Sequence, residues 1–161
     1  MSQRTLILLR HSKSDWSGNQ DDIDRPLAER GRRQAPEAGR WLGHNVDTID
    51  LVVSSPAKRA RSTWGLAADE LAGDPPARVD DRLYAASPDQ LLEVVHELPV
   101  DADTVVLVGH NPGIERLVSV LTGVSVRMPT SALAVIELTG PWSSAGSSKG
   151  VLRASGRPPT G

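Results

Sequence analysis

The sequence predicts an α/β fold, a three-layer α/β/α sandwich around a mostly parallel central sheet. Short continuous apolar runs at 5–9, 49–53 and 105–108 are typical of strands buried on both faces. Segments with apolar residues at helical spacing separate these runs. Strands that alternate with helices favour a sheet covered by helices on both of its faces.

The first half of the chain contains two of these strands. The run at 5–9 stops at Arg10-His11, and 14–25 is interpreted as a loop because it has Gly, Asn, four Asp and no apolar period. A helix is predicted over 28–43, where Pro36 predicts a kink or a division. The second strand, at 49–53, precedes another helix, which the turn at 73–76 ends.

The second half repeats this alternation. Residues 78–84 predict a short, weak strand, and 88–98 a helix that starts after Ser87-Pro88. The strand at 105–108 leads to a helix at 114–121 and a further strand at 132–138. Residues 141–149 are rich in Ser and Gly, and 157–161 are expected to be a loose tail. With no internal repeat or linker, the length predicts a single domain over 1–161.

Composition excludes several classes of protein. Charged residues make up 24% and apolar residues 39%, an ordinary globular mixture, and the net charge of −2 argues against a nucleic-acid binder. The lack of cysteine excludes disulfides, thiolate metal sites and a cysteine nucleophile. The apolar run near the N-terminus is too short for a signal peptide or a membrane span. We therefore expect a cytoplasmic monomer without membrane or nucleic-acid partners.

Three predicted strands end in polar clusters, at Arg10-His11, 54–59 and 109–112. In open α/β sheets, ligands bind beyond the carboxyl ends of the strands, so these clusters can converge on one point. Guanidinium groups offer a flat fork of donors that matches phosphate oxygens. A neutral imidazole has a nitrogen lone pair that can attack phosphorus in line. The convergent set therefore suits a phosphoryl group.

These clusters carry a resemblance to a known family. Leu8-Leu9-Arg10-His11, the segment 55–60 (SPAKRA) and the segment 108–112 (VGHNP) resemble three successive motifs of the histidine phosphatase superfamily. The resemblance covers most of 4–138 and implies the histidine phosphatase (phosphoglycerate mutase-like) fold. The segments 24–27 and 30–35, in a short chain without a large inserted cap, resemble the SixA-type phosphohistidine phosphatases.

The resemblance implies a role for each site residue. His11 would be the nucleophile, Arg10 and Arg59 would bind the phosphoryl oxygens, and His110 would donate to the transition state. Arg25 would be a further pocket arginine, or it could simply pair with an aspartate of its own loop. No metal and no organic cofactor would be needed.

Two positions depart from the family pattern. Ser12 stands where most members have glycine, and 80–86 lacks a clear match to the glutamate acid of the mutases and many phosphomonoesterases. Asp81 is the candidate proton donor there. An imidazole leaving group is easily protonated by water, whereas an alkoxide needs an acid more. The missing acid therefore favours phosphohistidine. Trp16 is also notable, because it follows the nucleophile on the same loop.

The leading hypothesis is a phosphatase that dephosphorylates a phosphohistidine domain of a partner protein through a phosphohistidine intermediate, with phosphate or another oxyanion in its pocket. A second hypothesis is a small-molecule phosphomonoesterase or mutase that acts on a phosphorylated metabolite. A third is an inactive module that binds phosphorylated partners. A panel of phosphohistidine protein and common phosphomonoesters separates the first two, and phosphate trapped on His11 would eliminate the third.

Overall fold

Seven strands form one sheet across residues 3–160, the part of the chain that the computed structural model describes. The strands are β1 (Gln3–Arg10), β2 (Leu51–Ser54), β3 (Ala77–Val79), β4 (Thr104–Gly109), β5 (Leu133–Thr139), β6 (Val151–Gly156) and β7 (Pro159–Thr160). The α-helices of the same range are α1 (Glu29–Asn45), α2 (Lys58–Ala68), α3 (Pro88–His96) and α4 (Gly113–Thr122).

The strand order is β3-β2-β4-β1-β5-β6-β7, with β1 at the centre. The pairs β2–β3, β2–β4 and β1–β4 are parallel, so four strands point their carboxyl ends toward one edge. The strands β5, β6 and β7 add to the other side in antiparallel pairs. The predicted α/β fold is confirmed. The predicted parallel arrangement holds for β1 to β4, the part of the sheet that includes the strands ending in polar clusters, whereas β5, β6 and β7 pair in the antiparallel sense.

The central strand shows why the helices cover both faces. Successive side chains of a strand point to opposite faces, and Leu6, Ile7, Leu8 and Leu9 are all fully buried. Leu6 and Leu8 belong to a core shared with α3 and α4. Ile7 and Leu9 belong to a second core, shared with α1 and α2. The three-layer arrangement therefore follows from an apolar run with two buried faces.

A glycine lets α1 approach the loop that follows β1. A Cβ on Gly31, in the first turns of α1, would lie 2.0 Å from the carbonyl oxygen of Lys13. On the next turn, Gln34 Oε1 accepts a hydrogen bond of 2.9 Å from the Lys13 N–H. These contacts hold the start of the loop, two residues beyond His11, against the helix.

The structure differs from the sequence predictions at four places. α1 runs through Pro36 without the division that is one of the two outcomes predicted there. The strand predicted at 78–84 is only β3, since Asp80 caps the 3-10 turn Asp81–Leu83 through the Arg82 N–H. β6 follows the Ser/Gly-rich segment, and β7 pairs with it where a loose tail is predicted over 157–161. Gly161 lies outside the described residues.

α3 begins at the predicted position, where Ser87 and Gln90 form a capping box. No helix within residues 3–160 has the length and apolar character needed to cross a bilayer.

Candidate active site

The carboxyl ends of β1, β2 and β4 lie side by side. The parallel registers pair Arg10 with Gly109, and Ser54 with Val108. Beyond these pairs, the His11 N–H donates to Gly109 O at 3.1 Å, and the Ser55 N–H donates to Val108 O at 2.9 Å. The three polar clusters of the sequence are therefore neighbours in space.

A cleft of about 330 Å³ opens at this edge of the sheet. It contains five of the six residues predicted for the site, and the ring centroids of its two histidines are 5.0 Å apart. The described residues that line it are Arg10, His11, Lys13, Ser14, Trp16, Asp22, Arg25, Arg59, Tyr84, Ala85, His110, Asn111 and Thr130.

The His11 ring is held in one tautomer. Its Nδ1 lies 2.8 Å from the carbonyl oxygen of Ser12, which can only accept, so Nδ1 carries the proton and Nε2 keeps its lone pair. Burial lowers the pKa of His11 to about 4; the hydrogen bond to Ser12 opposes this change, and the nearby charges of Arg59 and Arg10 add to it. At neutral pH the ring is therefore uncharged, with a free nitrogen lone pair.

Ser12 fits the position where the family pattern has glycine. Its N–H donates to Thr63 Oγ1 at 2.9 Å, and its hydroxyl lies 3.0 Å from that of Ser131. The Ser131 N–H in turn contacts the carbonyl oxygens of Arg10 and His11 at 3.1 and 3.0 Å. The serine side chain is fully buried and bonded, so it braces the loop that carries His11.

His110 is held by a serine that follows β2. Its Nε2 lies 2.7 Å from Ser55 Oγ. Ser55 Oγ accepts from the Ala57 N–H at 3.1 Å, and its own O–H can donate to Nε2, which leaves the proton of a neutral ring on Nδ1. Burial, followed by the proximity of His11 and Arg59, lowers the pKa of His110 to about 3. His110 is therefore neutral as well. The interpretation of Ser55 as a turn residue fits its bond to Ala57, but the sequence missed its contact with His110.

Asp22 bonds to two buried arginines, Arg25 and Arg59. Arg59 donates to the Asp22 carbonyl oxygen at 2.7 Å and to Oδ2 at 3.0 Å. Arg25 donates to Asp22 Oδ1 at 3.1 Å and to Ser14 Oγ at 2.7 Å. Arg25 therefore pairs with a loop aspartate and also lines the cleft, and its role in binding stays a prediction.

Tyr84 completes this network. Its hydroxyl donates to Asp22 Oδ2, and its ring meets the His110 ring edge-on at 5.6 Å. The Tyr84 hydrogen bond, followed by those of Arg25 and Arg59, holds the pKa of Asp22 well below its usual range. The same bond raises the pKa of Tyr84. The sequence suggested an aspartate partner only for Arg25, and no local pattern connects Asp22 with Tyr84, 62 positions away.

Arg10 is fixed from the opposite side of the cleft. It donates to Met128 O at 3.0 Å, while Glu115 Oε2 accepts from the Met128 N–H at 2.6 Å and from Asn111 Nδ2 at 2.8 Å. Burial lowers the pKa of Arg10, and the charge of Glu115 opposes that change. The Glu115 carboxylate thus holds the Met128 backbone to which Arg10 bonds, a role that the sequence did not indicate.

Asp81, the candidate proton donor, lies apart from the other five. It is exposed at the start of the 3-10 turn Asp81–Leu83 and is not among the described residues that line the cleft. Of those residues, Asp22 alone carries a carboxyl group. Across residues 3–160, no group of three or more His, Cys, Asp or Glu side chains is placed to hold a metal ion.

Comparison with known proteins identifies the family. The model of the histidine phosphatase superfamily (branch 1) matches residues 6–87. The chain belongs to the histidine phosphatase superfamily. An uncharacterised protein of Mycobacterium tuberculosis is 38% identical to this histidine phosphatase over 145 residues, which cover 83% of this chain and 89% of the relative.

Solved structures extend the likeness of this histidine phosphatase to the whole fold. A proposed phosphohistidine phosphatase SixA from Nakamurella multipartitia superposes with a TM-score of 0.85 at 29% identity, covering 97% of this chain and 96% of the other. A second proposed SixA, from Agrobacterium tumefaciens, gives 0.82 at 25% identity, covering 96% and 98%. The predicted superfamily and SixA-like fold are confirmed.

Proposed function

We propose that this histidine phosphatase hydrolyses phosphohistidine on a protein, with His11 as the nucleophile. The observation that carries the proposal is the geometry of His11. Its Nδ1 contacts the Ser12 carbonyl oxygen, which leaves Nε2 unprotonated, and its ring lies 5.0 Å from that of His110 in a cleft lined by the buried Arg25 and Arg59. A nucleophile of this kind needs no base to remove a proton before it attacks.

In the first step, Nε2 of His11 attacks phosphorus, and the bond between phosphorus and the substrate imidazole breaks. The substrate's other ring nitrogen takes a proton from water, so the electron pair leaves on a neutral imidazole. In the second step, water attacks phosphorus, the bond to Nε2 breaks, and inorganic phosphate leaves. The attacking water gives up a proton to the solvent, which replaces the proton that the substrate ring took in the first step. Arg10 and Arg59 hold the phosphoryl oxygens in both steps, and the neutral His110 donates a hydrogen bond to them.

The acid–base state of the cleft favours a phosphoramidate over an alkyl phosphate. The low pKa of Asp22 keeps its carboxyl ionised, the low pKa of His110 keeps its ring neutral, and the raised pKa of Tyr84 makes its hydroxyl a weak acid. None of the three is therefore an effective proton donor near neutral pH. An alkoxide leaving group needs such a donor, whereas an imidazole does not.

The test is a substrate panel with the purified protein in EDTA. A phosphohistidine protein should lose its phosphate faster, by kcat/KM, than sugar, glycerate or nucleotide phosphates. Faster turnover of any phosphomonoester would replace the proposal with a small-molecule phosphatase or mutase. Activity that EDTA abolishes and added metal restores would contradict the metal-independent mechanism.

A further inference from the structure

Trp16 presents an uncovered aromatic face at the mouth of the cleft. The side chain lines the cleft and is 71% exposed. The guanidinium carbon of Arg25 lies 3.4 Å from the centroid of the Trp16 ring, so this cation covers one face. The exposed area must therefore belong mainly to the opposite face and the ring edges.

The support beneath this ring is fixed. Arg25 is buried and bonded to Asp22 and Ser14. The loop itself is closed by an antiparallel bridge between Ser14 and Leu27, next to which the Asp15 N–H donates to the Pro26 carbonyl at 2.9 Å. The Trp16 indole stacks on a buried arginine in a loop that these hydrogen bonds close, so it is pre-oriented and has little conformational freedom to lose on binding.

We propose that Trp16 determines specificity by stacking its open face on the imidazole ring of the phosphohistidine substrate. The inference rests on the proposed function, which brings an aromatic leaving group into this cleft. Aromatic side chains are common in the lining of ligand clefts, and a contact between two aromatic rings typically changes affinity by roughly two- to twelvefold. Alkyl phosphates have no ring to make this contact.

Two compounds with the same scissile P–N bond test the inference. Phosphohistidine, as the free amino acid, has the imidazole ring, and phosphoramidate does not. In Trp16→Ala, we expect kcat/KM for phosphohistidine to fall by roughly three- to tenfold more than kcat/KM for phosphoramidate. Any displacement of Arg25 affects both compounds, because both present the same phosphoryl group, so the ratio isolates the stacking contact.

Two further variants complete the experiment. Trp16→Phe should restore most of the wild-type ratio, because phenyl keeps an aromatic face. Val100→Ala removes an equally exposed apolar side chain, 79% exposed and outside the cleft lining, and should keep the wild-type ratio. Equal losses on both compounds in Trp16→Ala would overturn the inference. A loss confined to phosphohistidine on a protein would also overturn it, in favour of contact with the partner's surface.

Failure of the underlying function gives a different result. A wild-type protein that hydrolyses neither P–N compound nor a phosphohistidine protein would contradict the proposed function itself, and the inference with it. Activity on the phosphohistidine protein alone would keep the proposed function and overturn the inference, because recognition would then depend on the partner's surface. A wild-type protein that hydrolyses both, with a ratio that Trp16→Ala does not change, would overturn the inference alone.

Discussion

Each end of the parallel strands has a cavity, and the larger cavity is not the one that contains the predicted site residues. At the amino ends of β1 and β4, a depression of about 680 Å³ is larger than the cleft of about 330 Å³ at the carboxyl ends. Its lining includes Asp47, Asp50, Asp103 and Glu137, none of which is buried. The smaller cleft instead contains the buried side chains of His11, Arg25 and Arg59.

Burial of ionisable groups, rather than the volume of the cavity, distinguishes the end of the strands that we propose as the active site. At the amino end, Asp50 Oδ2 accepts from the Asp103 and Thr104 N–H groups at 3.0 and 2.9 Å, which caps the start of β4. At the carboxyl end, burial and neighbouring cations move the pKa values of two histidines well away from 6.5. Such shifts cluster at functional sites.

The largest effect should follow removal of His11, the proposed nucleophile. His11→Asn should lower kcat/KM for a phosphohistidine protein by at least about 10⁴-fold, because the covalent route is lost. Asp103→Asn, at the amino end, should keep the wild-type rate. Circular dichroism and thermal melts check that both variants fold. Comparable losses in the two variants would remove the functional distinction between the two ends.

Adjacent cations on α2 should differ sharply. Arg59 is buried and bonded to Asp22, whereas Lys58 is exposed. Arg59→Met should lower kcat/KM by about 10²- to 10³-fold, since it removes a donor group from the phosphoryl oxygens. Lys58→Met should change kcat/KM by less than about twofold. Steady-state kinetics on the same substrate compare the two, and a milder effect at Arg59 than at Lys58 would refute this assignment.

The pH dependence should show a nucleophile that stays neutral in mild acid. With a pKa of about 4, His11 would be about 10% protonated at pH 5, where an unperturbed imidazole of pKa 6.5 would be about 97% protonated. The unfolded state binds more protons between these two pKa values, so this residue's contribution to stability falls as the pH drops from 6.5 to 4. Nitrogen-15 NMR of the histidine rings, assigned with His11→Asn, measures the pKa. A midpoint near 6.5 would refute the neutral, desolvated ring.

The smallest effect on activity should follow a substitution at the amino ends of the strands, where we expect a loss of stability instead. Asp50→Ala leaves two N–H groups at the start of β4 without their acceptor. We expect a loss of about 1–3 kcal/mol in the free energy of unfolding, with kcat/KM unchanged. Urea unfolding and steady-state kinetics on one preparation measure both. Lost activity at unchanged stability would reverse the contrast between the two ends.

The sequence predicted the parallel strands and the residues at their ends because both signals are local. An apolar run that stops at Arg10-His11 shows a buried strand and its polar end within a few positions. β6 and β7 were missed because their residues are mostly exposed or half-buried at the sheet edge, which leaves little apolar pattern. The loop partners were missed because a hydrogen bond between Asp22 and Tyr84 leaves no periodic trace.

The candidate proton donor, Asp81, was predicted from its region of the sequence, and it does not line the cleft. The sequence directed attention to the segment after β3, and Tyr84 of that segment does reach the cleft. Asp81 does not, because the chain turns immediately after Val79 and leaves this carboxylate on the exposed surface. The direction of a side chain after a tight turn depends on backbone geometry, which residue type alone does not specify.

Trapping the phosphohistidine intermediate on His11 tests the proposed covalent mechanism most directly. The protein is mixed with a phosphohistidine substrate labelled with phosphorus-32, quenched in alkali within milliseconds, digested and mapped by mass spectrometry. We expect acid-labile, alkali-stable phosphate on the peptide that contains His11, with no label on this peptide in His11→Asn. Label on another residue, or full turnover by His11→Asn, would contradict this mechanism.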